Sequence, residues 1–187
     1  TGQHCPDFYT ARLNKQGEWE EPVLIDEDIL NSAGSEGTPF MNKNFSTLYF
    51  TRCPNHKTRE SGCQIMKASR TGSAFSDPIA VEIKTIDSLD VVGHPTLSSD
   101  ELTLIFASER RNGIGGKDLW ISERESTSEE FGRPRNLSAI INTEGDELYP
   151  FMRNDSTLYF ASDGHGGMGG LDIFVTTLDS LGEWTTP

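Results

Sequence analysis

The chain has 187 residues, with 29 acidic and 16 basic side chains and a formal net charge of −13. Such a charge would repel the phosphates of nucleic acids, so we expect no nucleic-acid partner. Apolar residues make up 34% of the sequence, beside 18 Gly and 9 Pro, which indicates a folded, turn-rich protein. No apolar run approaches the ~20 residues of a membrane helix, so we expect no membrane-spanning segment.

Internal repetition is the main feature of the sequence. An aromatic residue stands three places before a proline at four sites, and the prolines are 56, 56 and 53 residues apart. The aromatic residues are Trp19, Phe75, Phe131 and Trp184. Short runs rich in Thr, Leu, Tyr and Phe recur in the same order at 46–50, 102–106 and 156–160. One order at one spacing indicates a structural repeat.

Each repeat contains four short strand-like runs separated by turn residues, and no segment shows a helical apolar period. Four antiparallel strands per repeat are typical of a β-propeller blade. The sequence therefore predicts an all-β protein of about 3.5 blades. The outer strands of one blade occupy 1–30, and whole blades occupy 31–86, 87–141 and 142–187.

Closed propellers have about 4 to 8 blades, so we expect an incomplete propeller that is a fragment of a larger one. A half-propeller that closes with a second copy is the alternative.

The cysteines are placed near predicted loops. Cys53 and Cys63 flank the loop between the second and third strands of the 31–86 blade. Because the two ends of a hairpin approach each other, we expect a disulfide between them, which favours an oxidising compartment. Cys5 precedes a third strand, and its partner is expected on a second strand that is missing here. Three unpaired thiols in a reducing cytosol are the alternative.

An acidic residue recurs at the start of the third strand, as Asp7, Asp118 and Asp172, with Gln64 at the remaining position. Since glutamine also accepts hydrogen bonds, we interpret this residue as a structural acceptor for N–H groups of the preceding loop. The glycine-rich loop 163–172 is interpreted as a tight hairpin. Calcium held by Asp163 and Asp172 is the alternative, and no other cofactor is indicated.

Polar residues precede the predicted innermost strand of each blade. Asn31, Asp87 and Asn142 lie eight residues before its proline, and Glu36 and Glu147 lie three before it. Innermost strands line the channel of a propeller, so these residues would form a polar ring at its mouth that recruits a basic peptide or a cation. In the alternative, the Asn and Asp residues cap turns and the glutamates are solvated.

Catalytic motifs are not found in the sequence. The four histidines lie in different predicted loops, and there is no G-x-S-x-G elbow, Walker loop or dinucleotide fingerprint. We therefore expect no enzymatic activity. The recurrent aromatic residues are expected in the core between blades, with an exposed sugar-stacking platform as the alternative.

The 142–187 repeat carries the most specific motifs. They are Asn142-Thr-Glu-Gly-Asp-Glu147, Thr157-Leu-Tyr-Phe-Ala-Ser162 and the glycine-rich loop before Asp172-Ile-Phe174. Together they resemble the TolB-type, WD-like propeller repeat of large periplasmic OmpA-family proteins of Bacteroidetes. The 31–86 repeat departs from this pattern at Gln64 and at its cysteines.

The resemblance implies a non-enzymatic interaction scaffold in the bacterial periplasm, associated with the outer membrane. Its partners would be other cell-envelope or secretion proteins, in type IX secretion or a related complex. Peptidoglycan would be bound through a domain outside this chain. A carbohydrate or peptidoglycan-fragment binding module and a propeller that gates a hydrolase domain outside this chain stay open as alternatives.

Overall fold

The computed structural model describes residues 7–25, 29–54, 62–86 and 89–187. In these ranges the chain forms short strands arranged in antiparallel sheets, and no helix is present. The prediction of an all-β fold is confirmed. The described ranges contain no helix that could cross a lipid bilayer.

Four sheets follow one another along the chain. Sheet 1 contains β1 (Tyr9–Thr10) and β2 (Val23–Leu24). Sheet 2 contains β3 (Ser35–Met41), β4 (Thr47–Cys53), β5 (Gln64–Thr71), β6 (Ala74–Phe75) and β7 (Ile79–Ala80). Sheet 3 contains β8 (Val92–Leu97), β9 (Thr103–Ser108), β10 (Asp118–Glu123) and β11 (Arg135–Asn136). Sheet 4 contains β12 (Glu147–Asn154), β13 (Thr157–Ser162) and β14 (Asp172–Thr177).

Consecutive strands pair in sheets 1, 3 and 4, and from β3 to β6 in sheet 2, so the sheets have a meander topology up to that point. In sheet 2, both β6 and β7 pair with β5. In sheet 4, a bridge between Leu178 and Trp184 follows β14 at the outer edge. The matching bridge beside sheet 1 joins Leu13 and Trp19.

The sheets stack face to face in chain order because both faces of the middle sheets are apolar. In β4, Leu48 and Phe50 lie on one face and Tyr49 on the other, as strand alternation requires. The first pair packs with Phe8 before β1, and Tyr49 belongs to the core shared with sheet 3. A third apolar core joins sheets 3 and 4.

Sheet 4 has one covered and one open face. Leu158 and Phe160 are buried against sheet 3. On the other face, Ile173 is 81% exposed and Val175 is also exposed. The residues that match Ile173 in sheets 2 and 3, Ile65 and Leu119, are buried. The open face of sheet 4 therefore carries apolar side chains at positions that, in sheets 2 and 3, are covered by the following sheet.

A disulfide joins Cys53, at the end of β4, to Cys63, directly before β5. It closes the connection between two paired strands, at the predicted position. The prediction for Cys5 lies outside the described residues.

Candidate functional site

A β-bulge interrupts the first strand of sheets 2, 3 and 4 at the same place. The register shifts at Thr38, His94 and Tyr149, each directly before a proline. Their φ angles are 52°, 56° and 52°. Positive φ is uncommon for residues other than glycine, and bulges occur often beside functional sites. We call these three positions the bulge edge and take it as the candidate site.

Hydrogen bonds connect the bulge edge from one sheet to the next. The Thr38 and Thr51 hydroxyl oxygens lie 2.6 Å apart, and the His94 backbone N–H donates to Thr51 Oγ1 at 2.8 Å. The Tyr149 backbone N–H donates to His94 Nδ1 at 3.2 Å. The His94 and Tyr149 rings stack with centroids 4.3 Å apart and planes 10° from parallel. The three bulges therefore form one connected row.

The imidazole at the centre of this row is neutral at physiological pH. Burial, together with the smaller effect of the positive charge of Lys117, lowers the pKa of His94 to about 4. Because Nδ1 accepts the Tyr149 N–H, the ring proton is assigned to Nε2. His94 therefore acts here as an acceptor and a stacking surface.

Aromatic surface is exposed along the same edge. Tyr149 and Phe151, two residues apart in β12, are each 53% exposed. Aromatic side chains that are held rigidly contribute strongly to protein interfaces. The bulge edge can thus offer apolar and stacking contacts to a ligand or a partner.

The predicted channel-mouth glutamates are buried rather than displayed. Glu147 is fully buried, and its carboxylate accepts bonds from the Thr143 N–H and hydroxyl and from the Ser162 hydroxyl. Glu36 occupies the matching position and accepts bonds from Ser32 and from Arg52 Nε at 2.7 Å. Both carboxylates hold the turn before the first strand of their sheet. These two glutamates are therefore neither solvated nor free to bind a ligand. For Glu36 and Glu147, this corrects both the predicted polar ring at the channel mouth and its alternative, solvated side chains.

The predicted asparagines also make internal contacts. The Asn142 amide bonds both the N–H and the C=O of Leu119, at 2.8 and 2.9 Å. Asn31 contacts the N–H and C=O of Phe8 in the same way, at 2.7 and 3.3 Å. Each side chain thus extends the ladder of the preceding sheet by one pair of bonds. Asp87, the third member of this predicted set, lies outside the described residues.

The repeat acids accept hydrogen bonds from the loops before them. Asp118 is fully buried and accepts from the N–H groups of Ile114 and Gly115. Asp172 accepts from the N–H of Met168 at 2.7 Å. Asp7 differs, since it is exposed and accepts no hydrogen bond from the described residues. The geometry at Asp118 and Asp172 is that of a structural acceptor.

The residues considered for calcium do not fit a shared ion. Asp172 turns an oxygen toward the N–H groups of its own loop. Asp163 turns one toward the Asp146 N–H, 2.8 Å away. Calcium requires six to eight oxygen ligands. No group of three or more His, Cys, Asp or Glu residues suited to a metal occurs in the described part of the chain.

The recurrent aromatic residues differ in burial. Phe131 is fully buried, and Phe75 and Trp184 are half-buried. Trp19 is 72% exposed, so the expectation of a core position is wrong for this residue.

The comparisons with known proteins concern the fold alone. No family model and no curated protein matches the sequence. A puromycin-hydrolyzing peptidase of Mycobacterium tuberculosis has a similar structure, with a TM-score of 0.54 at 14% identity. The match covers 95% of this chain and 31% of the peptidase. The chain therefore spans about a third of the length of this structural neighbour.

Proposed function

We propose that the chain is part of a β-propeller that serves as a non-enzymatic protein-interaction scaffold of the bacterial cell envelope. In this proposal, sheets 2 to 4 are blades of four-stranded type and sheet 1 contributes the outer strands of a further blade. The scaffold acts in the periplasm, associated with the outer membrane, in type IX secretion or a related complex. The resemblance of the repeat to that of TolB-type, OmpA-family proteins supports this location.

The bulge edge is the observation that carries the proposal. Its bonds join the bulges of three successive sheets, with Thr51 of β4 between Thr38 and His94, as expected where innermost strands converge on a propeller axis. On the outer side, backbone bonds between the 82–84 segment and Phe131 join sheets 2 and 3, and the described ranges show no continuation of these bonds from β11 to β14. We therefore assign the axis of the propeller to the side of Thr38, His94 and Tyr149.

The scaffold role is supported by how firmly this edge is held. The buried carboxylates of Glu36 and Glu147 fix the turns that lead into β3 and β12. His94 fixes the Tyr149 ring from the neighbouring sheet. A surface held in its bound conformation loses little entropy on association, which favours recognition of a partner.

Site-specific photo-crosslinking in the native bacterium tests this function. A benzoylphenylalanine at Phe151 samples the bulge edge, and one at Ile79, which is similarly exposed on β7, is the matched control. We expect one discrete envelope protein to crosslink at Phe151 and not at Ile79. Binding of that purified protein to this chain must then be lost in a Tyr149→Ala, Phe151→Ala variant. The same products at both positions, or none at Phe151, would contradict the scaffold.

A second candidate is a propeller that gates a hydrolase domain outside this chain. It is raised by the peptidase whose structure is similar over 31% of its chain. Labelling of the natural full-length protein with a fluorophosphonate, which modifies serine hydrolases, distinguishes the two. The scaffold proposal predicts no labelling, whereas active-site labelling would support the hydrolase.

A further inference from the structure

Sheets 3 and 4 border an open cleft of about 380 Å³. Trp184 and Leu178 lie on the sheet 4 side, and Ile121 and Leu137 form an apolar part of the sheet 3 side. Its volume lies within the usual range for small-molecule and side-chain pockets. The cleft extends from Met152 of β12 and the turn at Asp155 to Leu178 and Trp184, and Thr38, His94 and Tyr149 of the bulge edge are not among its lining residues.

In two of the four repeats, an arginine side chain covers the aromatic ring that precedes the last proline. In sheet 3, the Arg124 guanidinium lies over the Phe131 ring, 4.3 Å from its centroid. In sheet 2, Arg70 lies over Phe75 at 6.0 Å. Both arginines stand six residues after the start of the third strand. Sheets 2 and 3 therefore share an arginine over the ring, whereas the first repeat has Leu13 and Trp19 at the corresponding positions.

Sheet 4 lacks this arginine. Leu178 stands six residues after Asp172, where Arg124 stands after Asp118. Trp184 takes the place of Phe131 and is half-buried beside the cleft. A tryptophan ring attracts cations more strongly than a phenylalanine ring does. The last repeat thus has the better cation-binding ring and no cation of its own.

The charges around the cleft also suit a cation. Four carboxylates line it, from Asp100, Glu123, Asp155 and Glu183. Arg135, the cationic residue among its lining, lies 3.5 Å from Glu123. The Glu183 carboxylate, next to Trp184, accepts no hydrogen bond from the described residues. The Ser98 hydroxyl holds the pKa of Asp100 below its usual value, so this carboxyl stays ionised.

We propose that this cleft binds an arginine side chain of a protein partner, with the guanidinium over Trp184 and paired with Glu183. The inference rests on the proposed scaffold function and names the chemistry of one of its contacts. The net charge of −13 favours a basic partner over an anionic one. The site is a second contact, separate from the bulge edge.

The test follows the indole N–H signals in two-dimensional NMR of the full chain. The sequence has three tryptophans, and Trp19→Phe and Trp184→Phe assign their signals. The probe is the capped peptide acetyl-Gly-Arg-Gly-amide, and the peptide with Gln in place of Arg is its neutral control. We expect a saturable shift of the Trp184 signal with the arginine peptide at millimolar concentration and no shift with the control.

The first hairpin supplies matched controls, because Glu18 and Trp19 repeat the order of Glu183 and Trp184. We expect Glu183→Gln to weaken binding by about two- to fivefold, as for one exposed ion pair, and Glu18→Gln to change nothing. Equal shifts of Trp19 and Trp184, or no saturable shift, would overturn the proposal. So would saturation of Trp184 by an N-acetylglucosamine trimer without a response to arginine. If the crosslink at Phe151 is found while this titration fails, the scaffold stands and only the cleft assignment is lost.

Discussion

Glu147 shows how a single acidic residue fixes a turn in this protein. Its carboxylate is fully buried and receives three hydrogen bonds, two of them from Thr143. A buried ionised group is tolerated only when it is well paired, and charge-assisted bonds are the strong ones. The residue therefore contributes to stability through its acceptors and not through exposed charge.

Replacing Glu147 with Gln tests this role. The amide keeps the volume but turns an NH2 group toward a donor, which leaves at least one buried group unsatisfied. We expect a loss of about 1–3 kcal/mol in the free energy of unfolding by urea denaturation. Glu144→Gln is the control, because Glu144 is exposed three residues earlier. Equal stability of the two variants would contradict the buried role.

His94 links stability to pH. Its pKa is about 4 in the folded protein, against an ordinary value of 6.5. The unfolded chain therefore binds a proton first as the pH falls, so stability from this group decreases between about pH 6.5 and 4. In His94→Asn the titrating ring is absent, and asparagine tolerates positive φ. We expect the unfolding free energy of this variant to fall less between pH 7 and 5, whereas an identical pH dependence would refute the assignment.

At the scale of elements, the loop before each third strand is held by its own acid. Asp118 accepts two backbone N–H groups and the Asn136 amide. Asp172 holds Met168 in the same way. Glycines keep such loops tight, and a Cβ at Gly113 would lie 2.3 Å from the Asp118 carboxylate. The loop and the acidic side chain therefore stabilise each other's position and form one structural unit.

The contrast between Asp118 and Asp7 tests this unit. Asp118→Asn replaces a buried acceptor, and we expect a loss of about 1–3 kcal/mol in unfolding free energy. Asp7→Asn alters the same repeat position where it is exposed, and we expect a change within about 0.5 kcal/mol. Thermal and urea unfolding measure both. A similar loss in the two variants would mean that sequence position rather than local geometry decides the effect.

For the whole molecule, stacking of the sheets decides which residues are buried. Contacts between turns support the stack: the Tyr49 hydroxyl and the Asn42 amide of sheet 2 both bond to Glu101 of sheet 3. Burial and the Glu101 carboxylate raise the pKa of Tyr49 to about 12, so the hydroxyl stays a donor. Asp155 likewise accepts two bonds from Ser99.

Leu119 and Ile173 test the stack directly, because each directly follows the acid of its repeat. Leu119 is covered by sheet 4, whereas Ile173 is 81% exposed. We expect Leu119→Ala to lower the unfolding free energy by about 2–5 kcal/mol. Ile173→Ala should lower it by less than about 1 kcal/mol. Comparable losses, measured by urea denaturation, would show that Ile173 is covered in solution.

Much of the fold could be predicted from local pattern. The alternation around Leu48, Tyr49 and Phe50 requires a strand with both faces apolar, and this is what β4 shows. The disulfide follows from two cysteines that flank a hairpin connection. The bulge edge could not be predicted, because a residue before proline normally prefers extended backbone. Thr38, His94 and Tyr149 adopt positive φ in spite of this preference.

The amino-acid order alone specified an all-β chain, its repeat and its turns, since strand alternation and turn chemistry act over a few residues. Strand pairing and stacking of the sheets determined which side chains are buried and which donors and acceptors meet. Glu36 and Glu147 are internal because pairing of the first two strands brings Arg52 and Ser162 to their carboxylates. Trp19 and Phe131 differ in burial because only one of them faces another sheet. Burial and pairing depend on residues distant in the chain, so these outcomes required the tertiary structure.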